Sequence, residues 1–290
     1  MQPPETIINT NIDAALAEDL GVCWAAGLNA DLTARLIPVT AMARAQVITR
    51  EDAVLAGQPW FDAVFKRLDP NIEPRWLAAD GEAIAAGQTL CVIEGQASAL
   101  LSAERSALNF LQTLSGVATV TRQYVAAISG TRARIYDTRK TLPGLRQAQK
   151  YAVRCGGGEN QRMGLYDAIL IKENHIAAAG GIGPALEQAG KIAPAGIGVQ
   201  IEVENRAQLA MALDAGAKLI LLDNFALDAL REAVLFTAGR AELEASGGIT
   251  LENIRAVAET GVDRISIGSL TKNVQAVDLS MRFVAQDAVG

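Results

Sequence analysis

Four cations are gathered in one short part of an otherwise acidic chain. Arg139 and Lys140 follow the apolar run 134–137, Lys172 follows the apolar run 168–171, and Arg162 stands between them, a few residues after Gly156, Gly157 and Gly158. The chain carries a formal net charge of -6, and charge gathered against the global sign points to an anionic ligand. Any one of these residues alone reads as a solvated strand end. Four of them in one βαβ unit read better as a binding site.

Acids and glycines form a second set. In 199–204 (Val-Gln-Ile-Glu-Val-Glu) a period of two sends Val199, Ile201 and Val203 to a helix-covered face and leaves Gln200, Glu202 and Glu204 pointing inward. An inward acid needs partners, and lysines or a metal ion are the available ones. Glu204 also reads as a strand-end or helix-start acid, and Asp223 as a helix cap before Phe225-Ala-Leu. Ser246-Gly247-Gly248 and Ile267-Gly268-Ser269 close two further strands, where glycines let backbone N–H groups approach a phosphate. The single histidine, His175, beside Asn174, reads as a hydrogen-bonded structural residue, and no triad, Cys-His dyad or HExxH motif is spelled around it.

These side chains need a frame that brings strand ends together. Beyond residue 130, strands are predicted at 134–137, 168–172, 199–204, 219–223, 242–246 and 264–268, with helical stretches between them long enough for right-handed crossovers. Regular βα repetition without a GxGxxG opening favours a barrel, and in a βα barrel the C-terminal strand ends share one mouth. That rule collects Thr138, Arg139, Lys140, Lys172, Glu202, Asp223, Ser246 and Gly268. Six strands are too few for a closed barrel, so the predicted fold is α/β, an incomplete (open) parallel βα barrel joined to an N-terminal α+β sandwich-like domain.

The N-terminal part reads as a helix over 11–20 capped by Asn11, short strands or turns at 31–33, 45–49 and 54–56, a helix over 59–66, and hairpins over 79–95. A helix over 101–114 is expected to stop at Gly116. The expected domains are 1–115, joined by 276–290, and 116–275. The strand-like segment 278–284 is placed with the first domain.

Composition sets outer bounds. Half of the 290 residues are apolar, enough for two cores. No basic leader with an apolar stretch opens the chain, and no apolar run approaches a membrane span, so a cytoplasmic protein with no membrane partner is expected. Cys23, Cys91 and Cys155 are scattered without a CxxC and read as small buried apolar residues. Few aromatics and an acidic balance argue against a nucleic-acid partner.

The central stretch also carries a resemblance. Asp137-Thr-Arg-Lys-Thr-Leu-Pro-Gly-Leu-Arg146, Lys150-Tyr-Ala-Val, the triple glycine, Asn160-x-Arg162-x-Gly164-Leu and Leu170-Ile-Lys-x-Asn-His175 resemble the quinolinate phosphoribosyltransferase family. Glu18-Asp-Leu-Gly, Asp31-Leu-Thr, Thr49-Arg-Glu-Asp, Leu55-Ala-Gly and Glu104-Arg-x-Ala-Leu-Asn-Phe-Leu-Gln-x-Leu-Ser-Gly116 resemble that family's first domain.

The resemblance implies transfer of phosphoribose from phosphoribosyl pyrophosphate to quinolinate with loss of carbon dioxide. It implies Mg²⁺ as cofactor, near Glu202 and Asp223 and partly through water. Arg139, Arg162 and Lys172, with Arg105 from the first domain, would grip the two carboxylates. Lys140 would neutralise the leaving pyrophosphate, with Glu202 and Asp223 facing the sugar. Thr138 and the loops of Ser246, Gly247, Gly248, Ile267, Gly268 and Ser269 complete the substrate contacts. Similar enzymes are homodimers in which Arg105 reaches a neighbour's barrel.

One position departs from the pattern. The family's Asn-His-Arg is here Asn160-Gln161-Arg162, so Gln161 offers a hydrogen bond without charge, and a weaker hold on the dianion is expected. Three rival readings stay open on the residues alone. They are a Schiff-base aldolase using Lys140 or Lys172, a non-catalytic sensor of pyridine carboxylates or sugar phosphates, and a nicotinate-specific transferase.

Overall fold

The computed structural model describes residues 3–21 and 31–284; Cys23 lies outside them. In chain order the elements are α1 (Glu5–Leu20), β1 (Met42–Thr49), β2 (Ala53–Val54), α2 (Gln58–Leu68), β3 (Arg75–Trp76), β4 (Ala83–Ile84), β5 (Thr89–Gln96), α3 (Ala97–Ala127), β6 (Arg134–Tyr136), α4 (Arg146–Cys155) and β7 (Ile169–Ile171). There follow α5 (Glu173–Ala179), α6 (Ile182–Ile192), β8 (Val199–Val203), α7 (Arg206–Asp214), β9 (Leu219–Asp223), α8 (Leu227–Thr237), β10 (Glu242–Ser246), α9 (Ile254–Ala258), β11 (Arg264–Ser266), α10 (Ser269–Lys272) and β12 (Leu279–Val284).

The chain forms two compact units. The first takes the chain up to Val120, Leu142–Gly157, and the chain from Asn273 onward. Its main sheet has the order β12-β1-β5-β3, and β12 runs antiparallel to β1 with Met281 opposite Val47. A separate β2-β4 pair lies beside it in sequence. Alternation along β1 buries Ala45, Val47 and Thr49, as expected of a sheet with one face on a core. Onto that core α1 turns Ile8, Ile12 and Leu16, spaced four apart. From α2 come Trp60, Phe61 and Phe65, all fully buried. Phe61 sits 5.0 Å from the Phe65 ring and 5.2 Å from Trp76.

Two local expectations for this unit are corrected. Asn11 does not cap a helix, because α1 already begins at Glu5. Its side chain instead accepts the Trp60 indole N–H at 3.1 Å and donates to the Gly144 carbonyl. Gly116 does not stop a helix either: α3 runs through it for 31 residues. A Cβ there would lie 2.0 Å from the Gln275 carbonyl oxygen. The glycine permits a close crossing of two chain segments, not a helix end.

The second unit comprises Thr121–Thr141 and Gly158–Lys272. Its strands form one six-stranded parallel sheet in the order β6-β11-β10-β9-β8-β7. The two edge strands, β6 and β7, are consecutive in the chain, so the barrel stays open between its first and second strands. The intervening α4 gives Ala148, Ala152 and Val153 to the core of the first unit. Ile201, Val203, Ile220, Leu222, Leu243, Ala245 and Ile265 are buried along these strands, alternating in β8 and β10 with the buried polar Gln200 and Glu244, as in strands covered on both faces.

Candidate active site

Because all six strands run parallel, their C-terminal ends open at one edge, and the second unit places its predicted site residues there. After β6, Thr138 turns its hydroxyl back to accept the Lys140 N–H at 3.1 Å, while Thr271 donates to the Lys140 carbonyl at 2.8 Å. This fixes the backbone of Lys140 and leaves its side chain exposed. Gly268, after β11, comes so close that an added Cβ would stand 3.0 Å from Lys140 Cδ and 3.6 Å from Thr138 Oγ1.

The loop before β7 is held by a buried acid. Asp137 accepts the Gln161 N–H at 2.9 Å and the Asn160 amide at 2.6 Å. Arg162 follows, anchored by Nη1 to the Ala168 carbonyl at 3.2 Å. Burial, then the neighbouring Arg139 guanidinium, pull its pKa below the ordinary arginine value, and Asp167 only partly offsets them. The two guanidiniums are therefore near enough to act on one another.

After β7, Lys172 reaches Glu202 of β8, Nζ to Oε2 at 2.7 Å. The inward acid foreseen for β8 has therefore met a lysine. Gln200, two residues earlier, is buried and donates to Glu244. Glu204 is exposed at the strand end, where its N–H donates to Gln208. His175 accepts the Lys172 N–H on Nδ1 at 3.0 Å and so closes the first turn of α5.

Two residues that the sequence reading passed over organise the far side of this edge. Asn224 has φ 57, unusual for a residue with a Cβ. Its N–H donates to the Ser246 carbonyl and its amide to Asp223, both at 2.9 Å. Gly247, with φ 102, must lack a side chain, since a Cβ there would be 2.1 Å from Asn224 Oδ1. The second missed residue is Glu244, fully buried in β10, whose carboxylate receives the side-chain amide of Gln161 at 2.5 Å on each oxygen. An Asn following a strand-end Asp, and an acid two residues before Ser246 in an alternating strand, were the available signals.

The phosphate-type loops divide unevenly. The N–H groups of Gly247, Gly248 and Gly268 make no hydrogen bond within the described residues. The Ile267 N–H, by contrast, is taken by the Tyr136 carbonyl, and the Ile267 side chain is buried.

The family models for the quinolinate phosphoribosyl transferase N-terminal domain and C-terminal domain match residues 31–115 and 117–282. The chain belongs to the quinolinate phosphoribosyltransferase family. It is 42% identical over 251 residues to a probable nicotinate-nucleotide pyrophosphorylase [carboxylating] of Bacillus subtilis, covering 87% of each chain. It is 37% identical to quinolinate phosphoribosyltransferase [decarboxylating] 1 of Nicotiana glauca, over 94% of this chain and 81% of that one. The solved nicotinate-nucleotide pyrophosphorylase of Francisella tularensis superposes with a TM-score of 0.92 at 43% identity, covering 98% of both chains. In this family member Arg105, the one predicted site residue of the first unit, lies exposed on α3. No helix among the described residues is long and apolar enough to cross a membrane.

Proposed function

We propose a division of labour among these residues for the reaction of the family, which this chain catalyses: phosphoribosyl transfer from phosphoribosyl pyrophosphate to quinolinate with decarboxylation, yielding nicotinate mononucleotide, pyrophosphate and carbon dioxide. The observation that carries the reading is the match of both domains to the family, with Lys172 joined to Glu202 at the strand ends and Arg139 close enough to Arg162 to lower its pKa. Guanidiniums grip planar carboxylates with paired hydrogen bonds, and adjacent carboxylates on a pyridine ring call for neighbouring cations. A ligand with a single carboxylate, such as nicotinate, would leave part of this charge uncompensated, which favours the dianion.

Lys140 faces the leaving pyrophosphate, and its backbone restraints hold it there as negative charge develops. The N–H groups of Gly247, Gly248 and Gly268, with Thr138 and Ser269 nearby, receive the 5′-phosphate. Glu202 and Asp223 face the sugar, where a carboxylate stabilises the cationic character of the anomeric carbon. Exclusion of water and correct placement supply the rest.

Glu202 and Asp223 are also the residues that would hold Mg²⁺. Glu202 is already paired with Lys172, and no group of three His, Cys, Asp or Glu among the described residues could ligate a metal. Two carboxylates that offer only oxygen donors suit a hard cation that takes few ligands from the protein. Mg²⁺ held by these residues would supply charge neutralisation for pyrophosphate. Chelation is expected to abolish turnover without unfolding the chain.

In the same reading the protein is a cytoplasmic homodimer, and Arg105 of the partner subunit completes each site. The exposure of Arg105 on α3 supports the sharing. Formation of nicotinate mononucleotide and carbon dioxide from quinolinate, measured with nicotinate as competitor, tests the reaction. Mixing Arg105→Ala with Lys172→Ala chains tests sharing: restored activity supports it, and none at all refutes it.

A further inference from the structure

Glu244 is a carboxyl group with 0% exposure, in the same unit as a rim crowded with cations. Yet its hydrogen bonds come from neutral groups. Gln161 donates Nε2 to both oxygens at 2.5 Å, Gln200 donates to Oε2 at 2.9 Å, and the Ser266 hydroxyl adds a further bond. Arg264, the cation that acts on it from β11, forms its own ion pair with Glu242. Burial raises the pKa of Glu244 above the usual glutamate value. A buried acid so poorly compensated is costly, and apolar residues could fill its space. What only a carboxylate offers there is acceptor capacity for donors from β8, from β11 and from the loop before β7 at once.

The donor from that loop is the informative one. Gln161 is tied at its N–H to Asp137 and at its side chain to Glu244, and the next residue is Arg162. We infer that Glu244 is a positioning residue for substrate recognition: it fixes Gln161 and, through it, the placement of Arg162, so that position 161 serves loop geometry and does not donate to the substrate's carboxylates. The inference rests on Arg162 being a quinolinate contact, and it deepens that reading by naming what places the contact.

A double-mutant cycle on the full-length enzyme tests it, with KM for quinolinate, KM for phosphoribosyl pyrophosphate and kcat measured separately. Glu244→Gln and Gln161→Met are each expected to raise the quinolinate KM about tenfold, with the other two constants within about twofold, and the double variant to match Gln161→Met alone. Multiplying effects in the double variant would overturn the inference, as would equal losses in all three constants, which mark a general structural defect. Should Glu244→Gln not fold, Gln200→Leu takes its place in the cycle. It loosens Glu244 from the β8 side with an apolar residue suited to its buried position, and the same outcomes apply. Arg162→Lys serves as reference. If it leaves the quinolinate KM unchanged, the role of Arg162 fails and the inference with it. If it raises that KM while the cycle is multiplicative, only the Glu244 link fails.

Discussion

Both units hold carboxylates in networks of hydrogen bonds, but to different ends. In the first, Asp80 accepts the Gly57 and Gln58 N–H groups and the Tyr151 hydroxyl, the last at 2.7 Å. Those bonds close the start of α2 and tie it to α4, both parts of the scaffold. In the second, Asp137 and Glu244 hold a loop whose next residue is a cation at the strand-end edge. Among the described residues the fully buried large aromatics, Trp60, Phe61 and Phe65, all belong to the first unit. The strands of the second are lined mainly with aliphatics, and Arg139, Lys140 and Lys172 follow its strand ends. Stability and chemistry are thus concentrated in different stretches of the same chain, and substitutions should separate them.

The largest effect is expected from emptying the first unit's core. Trp60 is fully buried, 5.6 Å from the Tyr151 ring, and bonded to Asn11. Trp60→Ala should cost about 3–5 kcal/mol of stability through the lost burial and the cavity left behind. Chemical denaturation checks this, and the kinetic constants of the remaining folded enzyme should stay near wild type. A large loss of kcat with stability intact would break the comparison from this side.

Lys140→Ala is the mirror image. Its side chain is exposed, so the unfolding midpoint should hardly move, whereas kcat should fall roughly 10²–10³-fold if it neutralises charge in the transition state. Steady-state kinetics alongside a thermal melt make the test. An unchanged kcat with an unchanged melt would show Lys140 to be a solvated strand end after all.

How much of this contrast could be read from residues alone depended on distance along the chain. The parallel strands were legible because period-two apolar runs and the cations after them are local patterns, and Glu202 was legible because alternation fixes the face. Gly116 was misread because its meaning lies in Gln275, whose carbonyl crosses it. Asn11 was misread because its partner is Trp60. The link between Gln161 and Glu244 spans 83 positions, and nothing in either neighbourhood announces it. The stretch carrying α4 lies between two barrel strands and looks like any crossover helix, so its place in the other unit's core was invisible. Asn224 was missed for a different reason. Asp-Asn before a helix is common capping chemistry, and only the backbone at φ 57 marks it as something else.

That Asn224 corner gives a test within the second unit. Gly247→Ala would force a methyl group toward Asn224 Oδ1 on a backbone at φ 102. The strain amounts to about 1–3 kcal/mol, and the loop can relieve it only by moving. KM for phosphoribosyl pyrophosphate should rise about tenfold, while the quinolinate KM stays within about twofold. If both constants rose together, the phosphate loop and the pyridine-binding cations would not be separable parts of one rim.

The smallest effect returns to the first unit and to pH. Asp62 accepts the Trp76 indole N–H at 2.9 Å, and burial, only partly offset by that bond and by Lys66, pushes its pKa up to about 6 from 3.8. A folded-state pKa above the unfolded one means that the folded chain binds this proton more tightly. The contribution to stability is therefore full below about pH 4 and is lost as pH rises through 6. At pH 8 the protein carries a half-buried anion at a cost on the order of 1 kcal/mol, once access to water is counted. Asp62→Asn keeps an acceptor for Trp76 and removes the charge, so it should raise the unfolding free energy by about that amount at pH 8 and by little at pH 4. Turnover of quinolinate should be unchanged at both. An equal gain at both pH values would show that side-chain shape, and not ionisation, sets the difference. A change in turnover would mean that this half-buried acid of the first unit takes part in the chemistry, which its hydrogen bond to the scaffold gives no reason to expect.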